Sequence, residues 1–216
     1  MYIADFDEIH AKAEGYLEAY RTRRKTEEEI RDEILELLIR IYLDGRRSAR
    51  QSLDYWDSAD IAYLIEEFPD DALVRWFLGN VPEELDKGQV QEMMEVILKR
   101  LEDGKNVDDR IREHLENGDA GRLAITIDSE SHRDYEEGAF GVAQEYEKKT
   151  GHAVLKTWNT MLDDRVRDTH DYLESRSVAL GERFYTYDGD SARFPGDFAK
   201  VENVANCRCW LTYSKR

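Results

Sequence analysis

The stretch Tyr146-Glu147-Lys148-Lys149-Thr150-Gly151-His152-Ala153-Val154-Leu155-Lys156-Thr157-Trp158-Asn159-Thr160 joins two kinds of sequence. Ahead of it, apolar residues recur every three or four positions, the period of an amphipathic helix. Lys148, Lys149 and then Gly151 make a helix stop: cations suit the last turn, and glycine readily takes the left-handed conformation that ends a helix. Beyond Gly151, Val154, Trp158 and Leu162 recur at even spacing with Lys156 and Thr160 between them, the period of a strand. The fold class that follows is α+β. A mostly helical N-terminal region precedes a small mixed α/β C-terminal module with a short antiparallel sheet.

Upstream, the clearest helix spans 27–44. Ile30, Ile34, Leu37, Leu38, Ile41 and Tyr42 form its stripe, Thr26 with Glu29 forms a capping box, and Gly45 marks the exit. Further helices are expected at 58–67, 70–78, 83–103 and 107–117. A long one is expected over 120–150, with Leu123, Ile127, Tyr135, Ala139, Val142, Ala143 and Tyr146 on its apolar face. Glu130, His132 and Arg133 interrupt that face. They form either a solvated surface or a buried polar network tying the helix to the C-terminal unit.

Downstream, Asp163-Asp164 is read as opening a short helix that puts Val166, His170 and Leu173 on one face. Tyr187–Ser191 and Phe194–Asp197 read as turns. Cys207, Cys209, Leu211 and Tyr213 then share one face of a last strand. The expected division is an acidic helical region, 1–119, and a second unit, 120–216, made of the 120–150 helix and a small α+β part at 151–216.

The charge divides at nearly the same place. The 216 residues hold 31 Lys and Arg against 48 Asp and Glu, a formal net charge of -17. Residues 151–216 hold 10 of each sign, so the whole excess lies in 1–150. Such a balance argues against a protein that coats nucleic acid, which needs clustered cations, and against a basic membrane-surface module. No apolar run is long enough to span a bilayer. Cys207 and Cys209 are the only cysteines, which excludes a disulfide framework. The first residues lack the basic and apolar regions of a secretory signal, so a reducing cytoplasm, or a particle assembled there, is the expected setting.

The phosphate loop, the dinucleotide fingerprint, the metalloprotease helix and the nucleophile elbow are all missing from the sequence. Asp188-Gly189-Asp190 starts like a calcium loop, but Arg193 and Ala199 stand where that loop needs Gly and Glu. Cys207 and Cys209 share a face if the chain there is extended, and with His170 they offer three soft ligands of the kind zinc accepts. Free cysteines more often serve as small buried hydrophobes. With no fourth ligand evident, the sequence is read as having no metal and no cofactor. His170 is read as a partly buried histidine, not a general base, because no partner nucleophile is apparent.

Several separated motifs have an order of their own: Lys156-Thr157-Trp158-Asn159-Thr160, Asp163-Asp164-Arg165-Val166-Arg167-Asp168-Thr169-His170, Phe184, Phe194-Pro195-Gly196-Asp197 and Asn206-Cys207-Arg208-Cys209. Together with Asp128-Ser129-Glu130-Ser131-His132-Arg133 and Gly138-Ala139, this series resembles the Mu-F-like head morphogenesis domain, the minor capsid protein family of tailed phages and prophages. The resemblance covers about 120–213. It implies a motif cluster of Glu130, Arg133, Trp158, Asp164, Arg165, Arg167, His170, Asn206, Cys207, Arg208 and Cys209. Many members of the family carry two further cysteines after the D-x-R segment and a late histidine, a zinc-ribbon-like set. Here Arg167 and His170 occupy the first pair and Val204 the late position, which leaves at most three such ligands.

The resemblance implies a non-enzymatic minor head protein acting at the portal or inner capsid in head assembly, DNA packaging or DNA delivery. Its partners would be the portal or capsid protein and no membrane. Its place would be the virion head, reached through the host cytoplasm. Two other readings remain open from the residues. One is a hydrolase or transferase centred on His170 with Asp164, Arg165 and Glu130. The other is a DNA-binding accessory protein using Arg165, Arg167, Arg176, Arg183, Arg193, Arg208, Lys215 and Arg216 of the C-terminal module.

Overall fold

The computed structural model describes residues 6–53 and 105–216. The helices expected at 58–67, 70–78 and 83–103 lie outside the described residues. Helix α1 spans Phe6–Arg21, α2 Glu27–Leu53, α3 Lys105–Asn117 and α4 Ala120–Thr150. The C-terminal part follows as β1 (Val154–Thr160), α5 (Asp168–Asp171), β2 (Ser177–Ala179), β3 (Phe184–Tyr185), β4 (Ser191–Ala192), α6 (Val201–Val204) and β5 (Cys209–Lys215). The class is α+β. Helices α1 and α2 and the chain from 107 to 216 belong to one compact unit.

The ends of α2 and α4 follow local chemistry. At the start of α2 the Thr26 amide donates to Glu29 Oε2 at 2.7 Å, and the Glu29 amide donates to Thr26 Oγ1 at 3.2 Å. This reciprocal box satisfies two otherwise orphaned donors. Asp119 caps α4 by accepting the Arg122 amide at 2.9 Å. Gly151 ends it at φ 71°, its N–H donating to the Glu147 carbonyl.

Four helices share one apolar core. Ile9, Ala13 and Leu17 from α1 meet Ile30, Ile34 and Leu38 from α2, Ile111 and Leu115 from α3, and Leu123, Ala124 and Ile127 from α4. Each set follows a helical stripe, so the sequence periodicity and the buried face coincide.

Helix α2 does not stop at Gly45. It runs through to Leu53 because Gly45 is a contact surface, not a cap. A Cβ at position 45 would lie 1.9 Å from the Tyr135 carbonyl oxygen of α4, and one at Gly138 would lie 2.2 Å from the Tyr42 carbonyl oxygen of α2. The two glycines bring the backbones of α2 and α4 together, and no larger residue fits.

The sheet has the order β2-β1-β5 with all pairs antiparallel. Trp158 lies opposite Leu211, and Thr160 opposite Cys209. Val154, Lys156, Trp158 and Thr160 face the interior from β1, and Cys209, Leu211 and Tyr213 face it from β5. Leu162, expected on the same face, is instead 72% exposed, at φ 54°, because the strand ends at Thr160. The helix expected to open at Asp163 starts later, at Asp168. The Asp163 carboxylate accepts the Arg165 amide at 3.2 Å, and its carbonyl accepts the Val166 amide at 3.0 Å, which closes a turn there. A second, two-stranded ribbon pairs Phe184 with Ala192.

The 186–203 loop is organised by one carboxylate. Buried Asp190 accepts the amides of Ser191, Ala199 and Lys200 at 2.8, 3.3 and 3.1 Å and the Asn203 side-chain amide at 3.0 Å. These bonds hold it below the usual carboxylate range although burial opposes that. The oxygens that a calcium loop would turn to the ion are spent here on protein donors.

Helix propensity alone favours alanine over glycine by about 1 kcal/mol. Gly15 in α1 is exposed, and a Cβ there would meet nothing within 4 Å, so Gly15→Ala should stabilise the protein by up to about 1 kcal/mol. Gly45→Ala and Gly138→Ala should destabilise it by at least about 2 kcal/mol through overpacking. Thermal and denaturant unfolding of the three variants should therefore show opposite signs.

Candidate functional site

The C-terminal motifs converge on one buried cluster. Asn206 takes φ 53°, a left-handed conformation that Asn tolerates better than most residues, and this turn carries Cys207 inward. Cys209 then opens β5. The two thiols are 8% and 3% exposed, and both are free. His170, in the single turn of α5, is 1% exposed. Its Nδ1 lies 3.5 Å from Cys207 Sγ and 3.4 Å from Cys209 Sγ.

Aromatic rings wall the imidazole. Phe198 stacks on it at 5.1 Å and 21°, and Trp158 meets it edge-on at 5.7 Å. Phe184 and Phe198 pack on the other faces of Trp158. A general base must reach substrate, and this histidine is sealed away from solvent.

Helix α4 closes the cluster from below. His132 Nε2 stands 2.7 Å from the Cys209 carbonyl oxygen, and Glu136, one turn on, accepts the Leu211 amide at 3.2 Å. Both side chains are buried. Burial works against a charged His132, yet its contacts with Cys207 and Glu136 raise its pKa to about 9. Burial raises Glu136 to about 8, against the pull of His132 and the Leu211 N–H. The two cysteines split. Despite burial, Cys207 is drawn well below the ordinary thiol value by Cys209, His132 and His170, whereas Cys209 is raised by Cys207 and by burial.

The remaining motif residues hold this cluster in place or stand apart from it. Arg167 donates through Nη2 to the Ala205 carbonyl, fixing α5 to the turn before Cys207. Arg208 points away from the sulfurs and pairs with Asp163. Glu130 pairs with Arg110 of α3 at 2.6 Å. Arg133 lies under the Pro195-Gly196 turn, where a Cβ on Gly196 (φ 90°) would come within 3.1 Å of its Cα. Asp164 and Arg165 are exposed. The enzymatic set of His170, Asp164, Arg165 and Glu130 is therefore not gathered in a cleft.

The cations considered for DNA are largely engaged within the chain. Arg183 and Arg193 both pair with Asp197 at 3.3 and 2.9 Å. Arg176 lies 3.7 Å over the Tyr172 ring and donates to the Tyr172 carbonyl.

In the sequence His132 stands out only as a break in an apolar stripe, and Phe198, Glu136 and Asp190 carry no signal of their roles. The usable sign was a set of polar residues on a helix otherwise apolar enough to be buried.

The chain is similar to a phage minor head protein. The relative is the minor head protein of Bacillus phage SPP1, 29% identical over 92 residues, which are 43% of this chain. The aligned part spans 29% of that relative's length. No family model and no solved structure matches the chain.

Lys156 is a further buried ionisable side chain of the module. Its Nζ donates to the Arg193 carbonyl at 2.8 Å and lies 4.9 Å from the centre of the Phe140 ring. Burial, with Arg183 and Arg193 nearby, lowers its pKa from 10.5 to about 8. Between these values the unfolded chain binds a proton that the folded chain has released, so stability rises with pH across the window. The rise is on the order of 3 kcal/mol for this residue. Lys156→Met should abolish it. Denaturant unfolding of both proteins from pH 7.5 to 10.5 should show their stability difference changing in that direction.

Proposed function

We propose that this chain is a non-enzymatic minor component of a tailed-phage head, of the Mu-F-like kind, acting at the portal or inner capsid. The observation that carries this reading is the sealed motif cluster. The residues singled out by order and spacing (Trp158, His170, Cys207 and Cys209) pack against one another instead of lining a cleft. Motifs of that kind define a folding module, and similarity to a minor head protein supports assigning the module to a head.

In this reading the module is 120–216, and residues 1–119 form an acidic region ahead of it. An acidic surface docks best on a basic protein surface, and the attraction weakens as salt screens it. Direct DNA binding is the weaker alternative, because residues 151–216 hold equal numbers of each sign and the arginines there are mostly engaged by carboxylates and carbonyls.

The purified chain should co-sediment with the portal oligomers or procapsids of its own phage, and less so as ionic strength rises. Short duplex DNA should show no mobility shift at low salt. Failure to associate with portal or procapsid, together with normal infectious particles from a phage lacking the gene, would remove this reading. A steeply salt-dependent DNA shift would replace it with the DNA-binding one.

A further inference from the structure

We propose that His170 Nδ1, Cys207 Sγ and Cys209 Sγ bind a structural zinc ion, with His132 closing the site. The inference goes beyond the head-protein reading and does not depend on it. Among the described residues these three form a group of His, Cys, Asp or Glu side chains able to hold a metal, with ligand atoms all within 4.8 Å of one another and all three residues buried.

Spacing is the first argument. In a tetrahedral zinc site with metal–ligand bonds of about 2.0–2.3 Å, a sulfur and a nitrogen ligand stand about 3.5 Å apart. Both sulfur–nitrogen separations here, 3.5 and 3.4 Å, have that value. A single cation at the centre of the triangle reaches all three atoms without moving the backbone.

Valence is the second. An imidazole nitrogen has one lone pair or one proton, so it makes one hydrogen bond. Two sulfurs converge on the same Nδ1. A hydrogen bond through Nδ1 therefore reaches one sulfur at a time, in a site closed to water. A metal satisfies both thiolates and the imidazole together.

His132 is the residue placed to complete the set. It comes from a different element, and its Nε2 already touches the Cys209 backbone. The four residues come from α4, α5, the α6–β5 turn and β5, so one ion would pin the long helix, the short helix and the edge of the sheet to a common point. Zinc fits better than a hard cation because thiolate and imidazole are soft or borderline ligands. Binding displaces the protons still held on the two thiols.

The test uses the full chain, purified under reducing conditions. Metal analysis should give one zinc per chain. After removal with a chelator, the melting temperature should fall and the two thiols should become reactive toward a disulfide reagent; adding zinc should reverse both changes. Anaerobic titration of the stripped chain with cobalt(II) should give a thiolate-to-cobalt charge-transfer band and the visible bands of tetrahedral cobalt, saturating at one equivalent. Cys207→Ser and Cys209→Ser should abolish the charge-transfer band, with retained helical circular dichroism showing that the variant is folded. His132→Gln should weaken zinc binding by at least tenfold; unchanged affinity would overturn the assignment of the fourth ligand. Absence of zinc in the purified chain together with no cobalt charge-transfer band in folded wild-type protein would overturn the site.

Discussion

The structure depends on the close crossing of α2 and α4. Gly45 and Gly138 remove the two side chains that would hold these helices apart, and the carbonyls of Tyr135 and Tyr42 move into the space. Residues flanking the crossing can then reach partners on the opposite helix. Arg46 of α2 pairs with Glu145 of α4, with both groups almost fully buried. A buried pair costs much of its attraction in lost hydration, but removing one partner strands the other. The pair therefore acts more as a register lock than as a source of stability: it is tolerated only where the helices meet at this depth and rotation.

Helix α4 is unusually polar for a helix with so many buried positions, and its position explains this. Its first turns contribute Leu123, Ala124 and Ile127 to the helical core. Further along it lies beneath the sheet, where its polar side chains find backbone partners in place of water. Buried polar groups that are satisfied in this way specify one arrangement of the surrounding chain. His132 and Glu136 fix β5 against α4 in one register, and the Cys207–Cys209 cluster inherits its geometry from that placement.

Local signals are legible in the sequence and tertiary ones are not. The Thr26–Glu29 box, the Asp119 and Gly151 ends of α4, the inward faces of β1 and β5 and the turn at Gly196 all follow from interactions a few residues long. Gly45 reads as an exit because nothing within its own helix distinguishes a capping glycine from a packing glycine; the difference lies in Tyr135, 90 residues away. Period alone places Leu162 on a strand, whereas the turn bonds of Asp163 end that strand earlier. At the site, His170, Cys207 and Cys209 lie side by side. Asp164 and Arg165, in the same motif as His170, lie on the surface, since a short motif does not say which of its residues turn outward.

One consequence concerns the sheet's rim. β5 is an outer strand, and outer strands expose amide and carbonyl groups on which a foreign strand can add. On β5 the Cys209 carbonyl and the Leu211 amide, both directed away from β1, are already occupied by His132 and Glu136 of α4. Two side chains of a helix thus stand in for the missing neighbour strand. Among the described residues, the margin of β5 is covered at Cys209 and Leu211, and the sheet's other outer strand, β2, is three residues long, a short template for edge-to-edge growth. The same contacts that seat the sheet on α4 thus also guard it against edge-to-edge aggregation.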